Sequence, residues 1–197
     1  MNDDLIEVVK LAMEESREAR NVFTEAMYEM SEKLGYTDTK DRDQNERQTF
    51  GVPASEESIA KLEDEIKMEL PPSYKAFLRL SDGWKVVDGS QSFFSINELL
   101  AWREEMDPSN WISIAKTNGN NFVDGCLVIG ASNDAPGKYL LNPKAITNGE
   151  WEFIDYGKDG YLKFDSFLGF LIDTKQQFLD ASKELDFGQY YDPFAEE

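Results

Sequence analysis

The residues best suited to chemistry are three aspartates near the end of the chain. Asp155, Asp159 and Asp165 lie within the segment DYGKDGYLKFD, and two carboxylates held close together can act as the acid and base of a hydrolase. The same side chains offer oxygen ligands for Ca²⁺, although the segment lacks the 12-residue pattern and distal glutamate of an EF-hand loop. Aspartate beside glycine is also the usual chemistry of a hairpin turn. The turn is the favoured interpretation, and a carboxylate-based hydrolase remains an alternative.

Other catalytic groups are scarce in this sequence. The chain contains no histidine, which removes the commonest general base and the commonest transition-metal ligand. Cys126 is the single cysteine, so an internal disulfide and a thiolate metal cluster are excluded, and its apolar setting CLVIG predicts a buried, inert thiol. The sequence also lacks a phosphate-binding loop and a nucleophile elbow. We therefore predict a protein that is not an enzyme and that uses no metal or cofactor.

The net charge restricts the class of partner. The chain has 39 acidic and 20 basic side chains, a formal charge of −19. The acidity is spread along the chain, because residues 1–69 carry 19 acidic and 9 basic side chains and residues 70–197 carry 20 and 11. Direct binding of nucleic acid is disfavoured since it needs clustered Lys and Arg, whereas a basic protein partner would be attracted. An acidic surface that only maintains solubility is the alternative.

The sequence shows no export or membrane signal. The chain begins MNDDLIEVVKLAMEE, which is acidic where a signal peptide is cationic, and no apolar run approaches the roughly 18 residues of a membrane span. With 197 residues, 41% of them hydrophobic, the chain is long enough to bury a core. We expect a soluble, cytoplasmic protein without membrane contact. Its oligomeric state stays open, because a long first helix can pair with itself or fold back.

Apolar periodicity predicts helices at both ends of the chain. Apolar residues recur at three- and four-residue steps from Leu5 to Leu34, and Gly35 is suited to end that helix. The polar segment TDTKDRDQNERQ follows as a linker. We therefore expect a helical extension and linker over residues 1–50, and an α+β domain over residues 51–197 that closes with a helix in DSFLGFLIDTKQQFLDASKEL.

The middle of the chain predicts two helices followed by a run of strands. A helix begins after Pro53 with Ser55 as its N-cap, and the prolines of LPPSYKAFLRLSDGW end it near Leu70. Pro72 starts the next helix. The segments WKVVD, SFFSI, CLVIG, GKYLLN and WEFIDY read as strands, interrupted by a helix over ELLAWREEM. Helices, then meandering strands, then a helix predict an α+β fold with a largely antiparallel or mixed sheet.

These fragments, in this order, resemble the SUKH superfamily, which includes bacterial toxin-immunity proteins and a fungal regulator of cell-wall synthesis. The segment LPPSYKAFLRLSDGW is similar to the family signature, and LVIG at 127–130, the turn and strand NDAPGKYLL, and the Ser-Phe start of the closing helix follow as in the family. The resemblance covers about residues 51–185, and Asp82 departs from the asparagine that is common before the glycine. The positions that carry the signature are Leu70, Pro71, Tyr74, Phe77, Leu78 and Gly83.

The resemblance implies a sheet with helices packed mainly on one face, and a binding protein without catalytic activity. For bacterial members it implies neutralisation of a cognate toxin, often a nuclease. We place the candidate partner-binding residues where elements end and loops begin, and they are Asp82, Trp84, Asp88 and Asp134. Trp84 and Gly83 have an alternative role in the corner and the core alone.

The fungal relative implies a second function for a protein of this family. In this alternative the protein is a regulatory scaffold in envelope synthesis or signalling. Its first helix and its acidic tail DFGQYYDPFAEE would then recruit partners.

Overall fold

The computed structural model describes residues 3–33, 49–85, 87, 91–105, 108–132, 137–157 and 160–186. Within these residues, six α-helices accompany one antiparallel sheet of seven strands in the order β1 to β7. The helices are α1 (Asp3–Lys33), α2 (Glu56–Ile66), α3 (Pro72–Leu80), α4 (Ile96–Glu105), α5 (Pro108–Thr117) and α6 (Phe167–Asp186). The strands are β1 (Thr49–Phe50), β2 (Trp84–Lys85), β3 (Gln91–Phe93), β4 (Leu127–Ser132), β5 (Lys138–Thr147), β6 (Glu150–Tyr156) and β7 (Tyr161–Phe164). This architecture confirms the predicted α+β class.

The sheet separates a large core from a smaller one. Side chains alternate along β4, so that Leu127 and Ile129 face the large core while Val128 faces the small one. Helices α1, α2, α3 and α6 supply the large core, whereas α5 and a 3₁₀ turn at Asn121–Val123 cover the small core. The helices therefore lie mainly on one face, as the resemblance implied.

Helix α1 contributes to the large core together with the rest of the chain. Val9 and Met13 are at most 4% exposed and belong to that core. The C-terminal half of α1 packs on α6, where the rings of Phe23 and Phe178 lie 5.6 Å apart. The first helix is thus joined to the fold by apolar packing. The domain division after residue 50 stays a prediction, and Gly35 lies outside the described residues.

The two helices before the sheet follow the predicted boundaries closely. Ser55 caps α2, since its hydroxyl accepts a hydrogen bond from the Ser58 amide at 3.1 Å. The helix ends at Ile66, earlier than expected, because Lys67 adopts a left-handed conformation with φ of 58° and its N–H turns back onto the helix. Pro72 begins α3 as predicted. Helix α5 and strands β1 and β7 were not predicted, and β1 lies where the linker was expected.

Candidate partner-binding site

The family signature builds the interior of the protein. Leu70, Tyr74, Phe77 and Leu78 are at most 2% exposed. The rings of Tyr74 and Phe77 meet the ring of Phe167 with centroid distances of 5.4 and 5.0 Å. These contacts hold α3 against the closing helix. These four signature side chains therefore pack the core and are not exposed to a partner.

The turn between α3 and β2 depends on Gly83. Its φ is +94°, and a Cβ atom at this position would lie 2.8 Å from the amide nitrogen of Ser95. The buried hydroxyl of Ser81 donates to the Gly83 carbonyl at 2.5 Å. Pro71 lies at the other end of α3, where it is the N-cap in an extended conformation. The left-handed conformation predicted for Gly83 is confirmed.

The carboxylate of Asp82 caps α4, the helix that follows β2 and β3 along the chain. Its Oδ1 accepts a hydrogen bond from the Ile96 amide at 2.7 Å. Ser95 and Glu98 add a capping box, in which the Ser95 amide donates to the Glu98 carboxylate at 2.8 Å. Burial raises the pKa of Asp82, the bond from Ile96 lowers it, and the charge of Glu98 raises it further. Asp82 thus has a structural role, and its contact with a partner stays a prediction.

Trp84 lies in the large core, away from the surface. Its side chain is 0% exposed and packs between the rings of Phe50 and Phe93, at centroid distances of 4.7 and 6.4 Å. Its strand lies between β1 and β3, which directs this side chain inward. Because this side chain is fully buried, the observed role of Trp84 is its alternative one in the core, and not that of a partner-binding residue.

The remaining predicted positions fall into two groups. Asp88 and Asp134 lie outside the described residues, as does Asp159, so their predicted roles are untested. Asp155 lies on β6, and Asp165 is exposed after β7.

Within the described ranges, no group of three or more His, Cys, Asp and Glu side chains is placed to hold a metal ion. In the same ranges, no helix has the length and apolar character needed to cross a bilayer.

The single thiol is held in its protonated form. Burial, together with the nearby carboxylate of Glu152, raises the pKa of Cys126 to about 12. The sulfur also donates a hydrogen bond to the Phe122 carbonyl at 3.2 Å. A thiol in this environment is a weak nucleophile at neutral pH, as the apolar setting predicted.

Helix α1 presents an acidic and aliphatic face to solvent. We call this surface the outer face of α1, and it consists of Val8, Leu11, Glu14, Glu18 and Val22, which recur at three- and four-residue steps. The three aliphatic side chains are 48%, 55% and 45% exposed. Neither Glu14 nor Glu18 forms an ion pair with a described residue. The sequence pattern did not distinguish the outer face of α1 from an ordinary solvated helix face. The structure was needed to show which side of α1 is buried.

Many described cations are neutralised within the fold. The Nζ atom of Lys75 lies 2.7 Å from the Glu63 carboxylate, and that of Lys175 lies 2.8 Å from Glu15. Because such pairs neutralise positive charge locally, the charge that remains on the surface is mainly negative. Further ion pairs join Lys75 to Glu69 as well, Lys67 to Asp64, Arg79 to Glu56, Lys85 to Glu98, Lys116 to Asp124, Lys163 to Glu152 and Lys183 to Asp180.

Comparison with protein families agrees with this architecture. Residues 53–173 match the model of the SMI1 / KNR4 family (SUKH-1), and this match spans more than half of the chain. The protein belongs to this family. A search among curated proteins found no similar sequence. Helix α1 and the last part of α6 lie outside the matched residues, so the family model does not cover the outer face of α1.

Proposed function

We propose that this protein is a cytoplasmic, non-catalytic immunity protein that binds and neutralises a cognate bacterial toxin, with a basic nuclease as the expected target. The observation that carries the proposal is the family match over residues 53–173. The family as a whole consists largely of non-catalytic immunity proteins. The charge of −19 supports a basic partner.

Neutralisation follows from competition for the toxin's substrate groove. A nuclease binds the phosphate backbone through Lys and Arg, which are the side chains that an acidic protein attracts. Carboxylates of the immunity protein would occupy that groove and exclude nucleic acid, while exposed aliphatic side chains add apolar contact. The outer face of α1 offers both kinds of group. Asp82, Asp88 and Asp134 remain proposed contacts, because the sequence predicts them at element ends and in loops.

The contacts of several carboxylates support a structural use over a catalytic one. Glu150 accepts hydrogen bonds from the amide and hydroxyl of Ser73 at 2.9 and 2.7 Å, which ties the start of α3 to β6. Glu152 accepts from Asn142 at 3.0 Å and pairs with Lys163 at 3.1 Å. These acids connect elements of the fold.

Rescue of a poisoned host tests the proposal. The protein would be co-expressed with the toxin-like domain encoded beside its gene, and host survival measured against expression of the toxin alone. We expect survival to depend on the immunity protein and to persist when residues of the polar linker are changed. If no neighbouring toxin candidate is neutralised, the proposed function is wrong.

A further inference from the structure

Strand β7 forms one edge of the sheet. In the described part of the chain it pairs with β6 alone, and the side chains of Tyr161 and Leu162 are 43% and 54% exposed. An edge strand presents N–H and C=O groups to which a further strand can bond. The edge at β7 is therefore a candidate surface for an extended segment of a partner.

The pairing with β6 shows which backbone groups of β7 point outward. The Gly157 amide donates to the Gly160 carbonyl at 2.8 Å, so these two residues form a hydrogen-bonded pair. Hydrogen-bonded pairs alternate with non-hydrogen-bonded pairs along antiparallel strands. Leu162 therefore directs its backbone groups to β6, whereas Tyr161 and Lys163 direct theirs away from the sheet.

The two faces of β7 have different surroundings. Tyr161 and Lys163 lie on the face of the small core, where both contact the ring of Phe122. Leu162 and Phe164 lie on the opposite face and line a pocket of about 160 Å³ between the sheet and α6. Sites for small-molecule ligands usually begin at roughly 300 Å³, so this pocket is of a size for a single side chain.

The pocket is suited to an apolar side chain. Its walls include the aromatic rings of Phe170 and Phe178 on α6. Asp155 also lines the pocket, but it already accepts a hydrogen bond from Gln91. The side-chain amide of Gln177 likewise donates to a carboxylate of its own helix. A side chain that enters the pocket would therefore be held by apolar contact with its walls.

The charge beside β7 favours a basic partner over a second copy of this chain. Asp165 follows the strand and is exposed, and its carboxylate forms no ion pair with a described residue. Two chains of charge −19 repel each other, whereas a basic strand is attracted. On an antiparallel partner strand, the residue opposite Asp165 is three positions from the residue opposite Leu162 and lies on the other face. A complementary strand thus has an apolar residue and, three positions away, Lys or Arg.

We propose that β7 receives a strand of the toxin, which extends the sheet and places one apolar side chain in the pocket; this inference rests on the proposed function. Backbone hydrogen bonds to Tyr161 and Lys163 would supply affinity. The pocket and the carboxylate of Asp165 would select the sequence of the strand. This contact is additional to the one proposed for the outer face of α1.

A peptide tests the edge directly on the full chain. The probe is the capped peptide Arg-Val-Thr-Val-Thr-Val-Arg, whose valines would face the pocket and whose threonine amides would face β7. The control peptide carries N-methyl groups on both threonine amides, which removes these donors. We expect saturable shifts of the β7 amide signals by NMR, and at least about tenfold weaker binding of the control peptide. Unsaturated shifts, or equal affinity for both peptides, would overturn the inference.

Two substitutions at one position test the backbone hydrogen bond. Lys163→Pro removes an N–H that points away from the sheet, so the pairing of β7 with β6 should persist. Lys163→Ala removes the same side chain and keeps the N–H. We expect the proline variant to bind the probe at least about tenfold more weakly than the alanine variant. Equal binding by the two variants would contradict strand addition at β7.

A substitution at Leu162 tests the pocket and decides the outcome if the NMR spectrum shows that Lys163→Pro is misfolded. Leu162→Gln removes an apolar side chain from the pocket wall and should weaken binding of the probe several-fold. The control is Ile146→Gln on β5, which removes a side chain of similar exposure, 58%, and should bind like the wild type. Equal binding by Leu162→Gln and its control would overturn the inference.

Hydrogen exchange in the toxin complex separates this inference from the proposed function. We expect the amides of Tyr161 and Lys163 to exchange rapidly in the free protein and at least about tenfold more slowly in the complex. If the toxin is neutralised while both amides still exchange rapidly, the inference fails and the proposed function stands. If the probe binds β7 but no candidate toxin is neutralised, the proposed function fails and the site for a basic strand stands. Protection in the free protein that grows with its concentration would assign the edge to a second copy and overturn the inference.

Discussion

Asp82 links the turn before β2 to the start of α4. Replacing Asp82 should therefore weaken the N-terminus of α4. The Asp82→Ala variant loses the acceptor for the Ile96 amide. We expect the free energy of unfolding to fall by about 1 kcal/mol, as for other lost N-caps. Asp82→Asn keeps an acceptor oxygen and should stay close to the wild type. Urea denaturation at pH 7 measures both variants, and an alanine variant as stable as the wild type would contradict the capping role.

The pKa of Asp82 also predicts how this comparison changes with pH. Because burial raises that pKa in the folded state, the folded protein binds more protons than the unfolded chain between the two pKa values. Ionised Asp82 therefore lowers stability as the pH rises through its raised pKa. The Asn variant does not titrate, so its stability relative to the wild type should increase from pH 4 to pH 7. A relative stability that decreases over this range would contradict the assignment.

Cys126 should react slowly with thiol reagents in the folded protein. Its pKa of about 12 leaves little thiolate at pH 8, and its environment limits access. We expect labelling by a disulfide reagent to be much slower in the native protein than in urea. Equally fast labelling in both states would show that the thiol is exposed and ionised.

At the residue scale, sequence patterns predicted the backbone role of a residue better than they predicted whether its side chain is buried. The signature residues were correctly placed in a structural corner, because prolines and glycine restrict the backbone in ways that depend on sequence alone. The choice between a partner contact and the core for Trp84 stayed open in the sequence, because its burial depends on pairing of β2 with strands on both sides. The capping role of Asp82 joins positions 14 residues apart, and no local pattern indicates such a pair.

Helix α1 should be necessary for stability, since its inner side is buried. The Met13→Ala variant removes a side chain that is 4% exposed, and we expect a loss of about 2–5 kcal/mol in the free energy of unfolding. The matched control is Leu11→Ala on the outer face, where 55% exposure predicts a change within about 0.5 kcal/mol. Equal effects of the two variants, measured by urea denaturation, would mean that α1 is a separate arm, as the scaffold alternative requires.

At the element scale, the sequence predicted elements with strong periodicity and missed short ones. Helix α5 begins at Pro108 and was not predicted, although proline suits the first turn of a helix. Strand β7 has four residues and lies in a segment that was interpreted through its turn chemistry.

For the whole molecule, the location of charge should matter more than its total. The double variant Glu14→Gln with Glu18→Gln removes two charges from the outer face of α1. Its control, Glu57→Gln with Glu65→Gln, removes two exposed charges from α2. If the outer face meets the toxin, the first variant should associate several-fold more slowly at low salt, and the control should differ little from the wild type. Equal association rates, measured by surface plasmon resonance, would exclude this face from the contact.

The central claim is that this acidic protein neutralises a toxin by binding it. The most direct measurement is a titration of purified toxin with purified protein, followed by complex formation and by toxin activity at low and high salt. We predict that toxin activity is lost at an equimolar ratio and that the complex weakens as salt increases, because the attraction is partly electrostatic. Full toxin activity in the presence of excess protein, with every toxin encoded beside the gene, would contradict the claim.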